Sequence, residues 1–315
     1  MTVLITHGVP AEGLEVLAGH RVLMPEEGRA FTRDDLLRCL PEADAMLACG
    51  RLDAGLLQSA ARLKGVVCYG AGYDGIDIAA ATRLHIPVCN MPDSVTAATA
   101  ELAITLMLTL SRRVCELDAC LRREKEQAFG LGKRMGRSLA GLRLGIVGMG
   151  RIGRRVAEFG RWAGMKVIYT AHSKKPNCDW AAYAPLDELL QKSDIVSLHC
   201  PLTPETDGLI NRRRLAMMKP DALLINTSRG RVLDADALVR ALKNGLLGGA
   251  ALDVYFNEPS VDTRLLDMPQ VVLTPHIGSN TLQTRRHMAE EAARRLLMIL
   301  DGQPLPDLLN PEALL

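Results

Sequence analysis

Three side chains of unlike chemistry stand in separate stretches of the chain: Arg229 in INTSRGRVLD, Glu258 in LDVYFNEP and His276 in LTPHIGSN. A guanidinium presents a planar fork of donors that matches a substrate carboxylate. An imidazole titrates near neutrality and can exchange a proton with a substrate oxygen. A carboxylate beside it would orient the ring and favour its protonated form. Taken singly, each residue reads equally well as a surface ion pair, a turn residue or a hydrogen-bonded core histidine. What singles them out is position: each follows a run that reads as a β-strand, and ligands bind beyond the carboxyl ends of strands in open α/β sheets.

A second constellation is Gly148-Met149-Gly150-Arg151-Ile152-Gly153, directly after the apolar run LGIV and at the start of a helical pattern. Gly148 permits a tight turn, Gly150 lets backbone approach a pyrophosphate, and Gly153 lets the helix pack against the strand. The helix N-terminus then faces the anion. In that strand–turn–helix context the spacing predicts a bound dinucleotide. An acid roughly 20 residues further on would accept the ribose hydroxyls of NAD. The chain instead reads Ala171-His172-Ser173-Lys174-Lys175. Those donors and charges suit a 2′-phosphate, so NADP(H) is expected to be preferred, with NAD(H) as the second reading.

The elements that position these groups alternate between short β-rich runs and helical patterns, which argues for parallel sheets with helices on their faces. Strands are predicted at Val3–Ile5, Ala45–Leu47, Gly65–Cys68, Pro87–Cys89, Leu144–Val147, Lys166–Thr170, Ile195–Leu198, Leu223–Asn226, Gly249–Leu252 and Val271–Leu273. A helix is expected over Pro10–Ala18, and a long one over Ala97–Leu121 whose first half is apolar nearly all round. The glycine-rich stretch from Phe129 to Gly141 reads as an irregular arm. A chain of 315 residues is about twice the ~150 of a single domain. Hydrophobic residues are 48%, enough for sizeable cores, and aromatics only 3%, so those cores are aliphatic. The 38 basic and 36 acidic residues leave a formal charge of +2, which gives no electrostatic case for nucleic acid or an anionic membrane. No run approaches ~18 consecutive apolar residues, and the N-terminus lacks a basic region ahead of an apolar stretch. A cytoplasmic protein is expected. The eight cysteines are scattered, which reads as free thiols and no metal site.

These motifs, in this order, resemble the D-isomer-specific 2-hydroxyacid dehydrogenase family. The likeness covers nearly the whole chain: Gly70-Ala71-Gly72-Tyr73-Asp74, the Gly148–Gly153 turn, His199-Cys200-Pro201-Leu202-Thr203, Asn226-Thr227-Ser228-Arg229-Gly230, Asp253 with Glu258-Pro259, and Thr274-Pro275-His276-Ile277-Gly278-Ser279. The resemblance implies two doubly wound, Rossmann-like α/β domains with a cleft between them. Residues 1–95 with 287–315 would form the substrate domain, and 96–286 the dinucleotide domain with a dimerisation helix and arm. It implies that Arg229, Glu258 and His276 are catalytic, and that the Gly70, Ala71 and Gly72 backbone holds the substrate carboxylate. Arg151 and Ile152 would meet the pyrophosphate. His199, Cys200, Pro201 and Thr206 would line the adenosine side, and Thr227, Ser228, Asp253 and Gly278 the nicotinamide half. Thr99 would be a further cofactor contact.

The family usually forms homodimers. Many members carry a Trp in the arm, where this chain has only Phe129. The implied reaction is reduction of a small 2-oxo acid to the D-2-hydroxy acid. No appended regulatory domain is expected after the last helix, and the basic loop after Thr170 resembles the glyoxylate, hydroxypyruvate and 2-ketoaldonate reductases. Arg51, after Leu47-Ala48-Cys49-Gly50, would favour a polar or extended substrate. The alternatives are an NAD-dependent dehydrogenase of phosphoglycerate or phosphite, and a nucleotide-sensing corepressor-like binding protein.

Overall fold

The computed structural model describes residues 1–125 and 132–315. Phe129 and the start of the expected arm lie outside the described residues. The chain divides into two compact units: residues 1–96 with 279–315, and residues 97–278.

The first unit is built on five parallel strands: β1 (Thr2–Ile5), β2 (Arg21–Leu23), β3 (Ala45–Ala48), β4 (Val66–Cys68) and β5 (Val88–Cys89), in the order β2-β1-β3-β4-β5. Its central strands are apolar at successive positions because both faces are covered. On one face Leu4, Met46, Ala48, Val66 and Val88 pack with Leu36, Leu56 and Ala80 of the short helices α1 (Arg33–Cys39), α2 (Ala54–Gln58) and α3 (Ile78–Arg83). On the other face Val3, Ile5, Ala45, Leu47 and Val67 meet the C-terminal helix at Ala292, Leu296 and Ile299. The three helices are capped by side chains at their N-termini. Thr32 and Asp35 form a reciprocal capping box, and Asp53 and Asp77 accept from the first turns of α2 and α3. The helix expected over Pro10–Ala18 is absent; only Glu15–Leu17 make a single 3-10 turn. Gly13 breaks it: its φ is +99°, and a Cβ there would lie 2.8 Å from the Glu290 backbone.

The second unit carries seven parallel strands: β6 (Arg143–Val147), β7 (Lys166–Thr170), β8 (Ala182–Tyr183), β9 (Ile195–Leu198), β10 (Leu223–Asn226), β11 (Gly249–Leu252) and β12 (Val271–Leu273). Their order is β12-β11-β10-β9-β6-β7-β8, a doubly wound sheet that reverses direction between β6 and β9. Leu144, Ile146, Ile195, Ile225 and Ala251 fill the core on one face, and Val196, Leu198, Leu224 and Leu252 on the other.

The long helix expected over Ala97–Leu121 is two helices, α4 (Pro92–Ser111) and α5 (Val114–Glu124). The break falls at Arg113, whose left-handed backbone (φ 55°) cannot continue a helix. By length and composition alone α4 could cross a membrane. Its Ala100, Ala103, Leu106, Met107 and Leu110 are instead packed into the second unit's core with Leu144 and Ile225. Helices α6 (Arg151–Trp162), α7 (Leu186–Lys192), α8 (Arg212–Leu215) and α9 (Ala235–Lys243) complete this unit, and α10 (Leu282–Leu300) is the last α-helix, in the first.

A charged network is built into the first unit's interior around Arg295. Arg295 of α10 is 5% exposed. It donates to the carbonyls of Asn90 and Pro306 and pairs with Glu291 and Asp307. Glu291 in turn accepts from Ser94 Oγ. Removing one partner from such a buried network leaves the others uncompensated, at a cost of roughly 3–5 kcal/mol. Arg295→Met is therefore expected to lower unfolding free energy by about that amount in urea titrations followed by circular dichroism; a loss within ~0.5 kcal/mol, the range of ordinary surface changes, would show the network to be dispensable.

Candidate active site

The glycine turn sits where the second unit's sheet reverses. Gly148 follows β6 with φ +99°, and a Cβ there would lie 2.6 Å from the carbonyl carbon of His199, which follows β9. The two loops approach so closely that no side chain fits between them. Gly153 is excluded from carrying a side chain just as firmly, because a Cβ would meet the Gly148 carbonyl oxygen at 2.1 Å. Gly150 differs: it is the N-cap of α6, makes no side-chain cap, and has nothing within 4 Å of its Cβ direction. Open space in front of uncapped helical N–H groups is what a pyrophosphate requires. Arg151 and Ile152 form the first turn beside it.

The other expected cofactor residues also lie at the carboxyl end of this sheet. His172, Ser173 and Lys174 are exposed immediately after β7. The loop is braced from below: the Lys175 N–H donates to Tyr169 Oη at 2.9 Å, and Tyr183 Oη donates to the Ala171 carbonyl at 3.3 Å. His199 follows β9 with Ser197 Oγ 2.8 Å from its Nε2. Desolvation pushes its imidazole down to about 3, so the ring is neutral at working pH. Burial pushes the Cys200 thiol up to about 11. Thr206 folds its hydroxyl into its own turn, donating to the Pro201 carbonyl at 2.6 Å and accepting from the Thr203 N–H at 2.8 Å. Thr99 of α4 and Asp253 border Gly278, whose added Cβ would lie 3.4 and 3.3 Å from them. Thr227 Oγ1 is buried with no hydrogen-bond partner among the described residues. A buried hydroxyl without a partner is costly. With the open space at Gly150, it makes this edge fit a dinucleotide that supplies the missing polar contacts.

Three loops at the same edge bring the candidate catalytic side chains together. Asn226 ends β10 fully buried; its Oδ1 accepts from the Ser228 N–H and Oγ, and its Nδ2 donates to the Arg229 carbonyl. Asn226 thus shapes the turn that presents Arg229. Glu258 closes the loop after β11. His276, after β12, points its Nδ1 at Glu258 Oε2, 2.8 Å away. An ionised carboxylate only accepts, so Nδ1 carries the proton and donates, leaving Nε2 for exchange with a ligand. Burial raises the Glu258 pKa, but the His276 hydrogen bond, the Tyr255 N–H and the charges of His276 and Arg229 outweigh it. The carboxyl ends below the ordinary glutamate range.

Asp253, 1% exposed, sets the imidazole's position. Its Oδ1 accepts from Thr274 Oγ1 at 2.7 Å and from the Ile277 N–H at 2.8 Å, and its Oδ2 from the Gly278 N–H at 2.9 Å. Its own carbonyl accepts the His276 N–H at 2.9 Å. These bonds hold His276 at φ +53°, a conformation that side-chain-bearing residues adopt at a cost. Desolvation raises the Asp253 pKa, and the bonds from Ile277 and Thr274 only partly counter it.

In the first unit, the Gly70–Gly72 loop leaves β4 with Gly70 at φ +122°. Every carbonyl of the loop is engaged. Gly70 O accepts the Met91 N–H, Ala71 O accepts Asn90 Nδ2 at 2.7 Å, and Gly72 O accepts Cys68 Sγ at 2.9 Å. Among the described residues no acceptor takes the Ala71 or Gly72 N–H. Two directed donors are what a carboxylate needs. Arg51 is exposed after β3.

Sequence reasoning singled out the glycine turn, the three catalytic candidates and the Gly70–Gly72 loop but missed Asn226 and Thr274 as groups that shape the loops of Arg229 and His276, and Asn90 as the group that holds the Ala71 carbonyl. Only Asn90, a polar residue inside an apolar strand region, left a readable signal.

The family pattern described as D-isomer specific 2-hydroxyacid dehydrogenase, NAD binding domain, matches residues 104–278. A glyoxylate reductase of Thermococcus onnurineus is 40% identical over 99% of this chain and 96% of its own length. A glyoxylate reductase of Aeropyrum pernix is 41% identical over 98% of this chain and 96% of its own. Among solved structures, the TT0316 protein of Thermus thermophilus superposes with a TM-score of 0.91 at 41% identity, covering 98% of this chain and all of that one. The NADPH-dependent glyoxylate/hydroxypyruvate reductase of Sinorhizobium meliloti, solved with NADP and malonate, does so at 0.88 and 29%, covering 99% and 97%. With a helix N-terminus opened by glycines, an imidazole paired to a carboxylate and these relatives in full-length register, the chain belongs to the D-isomer specific 2-hydroxyacid dehydrogenase family.

Proposed function

We propose that this protein reduces a small 2-oxo acid of the glyoxylate/hydroxypyruvate type, with 2-ketogluconate as a further candidate, to the D-2-hydroxy acid, using NADPH in preference to NADH. The Glu258–His276 pair carries the reading, because it is an acid held ready to protonate an oxygen. Bound reduced nicotinamide supplies the hydride for the carbonyl carbon. Within the chain, His276 Nε2 donates its proton to the substrate oxygen as alkoxide character develops, and Glu258 stabilises the imidazolium that precedes it. Arg229 pairs with the substrate carboxylate and stabilises the growing charge. Asp253 and Thr227 serve the nicotinamide half, and the unoccupied N–H groups of Ala71 and Gly72 make their loop the proposed carboxylate-binding element of the first unit. His172, Ser173 and Lys174 offer donors and charge for a 2′-phosphate, which supports the NADPH preference.

The test is a panel of glyoxylate, hydroxypyruvate, pyruvate, phenylpyruvate and 2-ketogluconate with each reduced cofactor. Highest kcat/KM for glyoxylate or hydroxypyruvate with NADPH is expected. A best substrate outside the small 2-oxo acids would overturn the substrate reading, and a higher kcat/KM with NADH the cofactor reading.

Acid–base assistance of this kind contributes roughly 10²–10⁴-fold. His276→Ala is expected to lose turnover by about that factor while still binding reduced cofactor. Glu258→Gln keeps the imidazole but removes the charge that favours imidazolium. Its reduction rate in steady-state assays is expected to fall, because the carboxylate that accepts from Nδ1 and would stabilise the imidazolium is gone. A folded His276→Ala variant with near-normal turnover would remove the histidine from the mechanism.

We further propose a homodimer formed through α4, α5 and the following segment, where Leu108, Val114, Leu121 and Met135 are exposed at 39%, 52%, 45% and 73%. Light scattering should give about twice the 34.2 kDa of one chain; a monomer mass at micromolar concentration would refute it.

A further inference from the structure

Tyr255 belongs to none of the roles assigned above, yet it touches all three catalytic loops. Its backbone N–H donates to Glu258 Oε1 at 2.9 Å, on the carboxylate oxygen opposite the one that faces His276. Its phenol lies 2.8 Å from the carbonyl oxygen of Thr274 and 3.2 Å from that of Leu252. A phenol has one proton, and the shorter distance assigns it to Thr274, two residues before His276. Its own carbonyl group packs against Gly230, next to Arg229, so closely that a Cβ on Gly230 would lie 2.0 Å from Tyr255 C and O. The residue follows β11 and reaches the ends of β10 and β12 on either side.

From this junction we infer that Tyr255 is the positioning residue that sets the spacing of Arg229, Glu258 and His276. The inference rests on the catalytic reading of those three residues. Because β12 is an edge strand of three residues with β11 as its single neighbour, few ladder bonds hold the histidine loop to the sheet. The phenol adds a bond from the glutamate loop to the histidine loop outside that ladder. Burial pushes its pKa up to about 12, so it remains a donor throughout the working range. The phenol's hydrogen-bond partners are backbone carbonyls of the strand ends, so the proposed effect reaches the reaction through the placement of its neighbours. Misplacing a catalytic group by about 1 Å can cost up to ~10²-fold in rate.

Tyr255→Phe removes the phenol oxygen and keeps the ring. The expected result is a kcat lower by about 5- to 20-fold, within the range that a sub-ångström displacement allows. The KM and equilibrium Kd for reduced cofactor should stay within about twofold, the melting temperature should stay close to the parent's, and the pH–rate profile should change shape because the histidine–glutamate contact is altered. An unchanged kcat and pH profile would overturn the inference. So would a loss of kcat matched by equal losses in cofactor affinity and melting temperature, since that pattern marks a general structural role. His276→Ala measured alongside separates the two failures. If His276→Ala is inactive and Tyr255→Phe behaves as the parent, the positioning role alone is wrong; if His276→Ala stays active, the catalytic reading beneath it is wrong.

Discussion

The buried carboxylate of Asp253 is the constraint on which the site's geometry depends. Three donors from one short segment converge on it: Thr274 Oγ1, the Ile277 N–H and the Gly278 N–H. Between the first and second of these lies His276, forced into a left-handed backbone conformation. No regular element could present an imidazole this way. A helix or strand would fix the backbone at negative φ, whereas the clamp holds one residue in a sparsely populated state by surrounding it with satisfied hydrogen bonds. The ring then meets Glu258 at hydrogen-bond distance, and the dyad exists only because both loops are anchored.

The fold explains why the groups meet although Arg229 and His276 lie 47 positions apart in the sequence. In a parallel sheet every strand ends at the same edge, so the loops after β10, β11 and β12 are neighbours however long the crossovers between them. The same arrangement puts the Gly148 turn beside His199 at the reversal between β6 and β9. One unit therefore brings the uncapped helix N-terminus at Gly150 and the His276–Glu258 pair to the same edge of its sheet. The relatives that match this chain over nearly all its length include enzymes named for reducing glyoxylate, and the local chemistry is of the kind that such a reduction uses.

Much of this was legible from residue types alone. Gly148, Gly150 and Gly153 announce their role because the lack of a side chain is itself the requirement, and the structure shows contacts of 2.6 and 2.1 Å that forbid one at Gly148 and Gly153. The six predicted strands of the second unit are found at the predicted places, since apolar runs buried on both faces stand out. Pairings between distant loops were not legible. Nothing in the spacing of Glu258 and His276 says that their side chains are 2.8 Å apart, and nothing in Tyr255 marks its phenol as a bridge. Local conformation misled twice. Pro10–Ala18 has helical spacing but needs a positive φ at Gly13, and the apolar run through Leu110 continues into sequence that turns at Arg113. In both places a single residue with positive φ ends the helical run that the spacing suggested.

The direction in which Asp253 is displaced carries a thermodynamic meaning. Its pKa is raised in the folded chain relative to the ordinary aspartate value, so the folded state holds this proton more tightly than the unfolded state does. By linkage, whatever stability the group contributes is present at low pH and is lost as pH rises from the ordinary aspartate value through the folded one. Near neutrality, where the carboxylate must be ionised to receive its donors, the residue works against folding. The chain gives up some resilience at one interior position near neutrality so that one aromatic nitrogen stays aimed, while the three donors bonded to that acid make its simple removal costly as well.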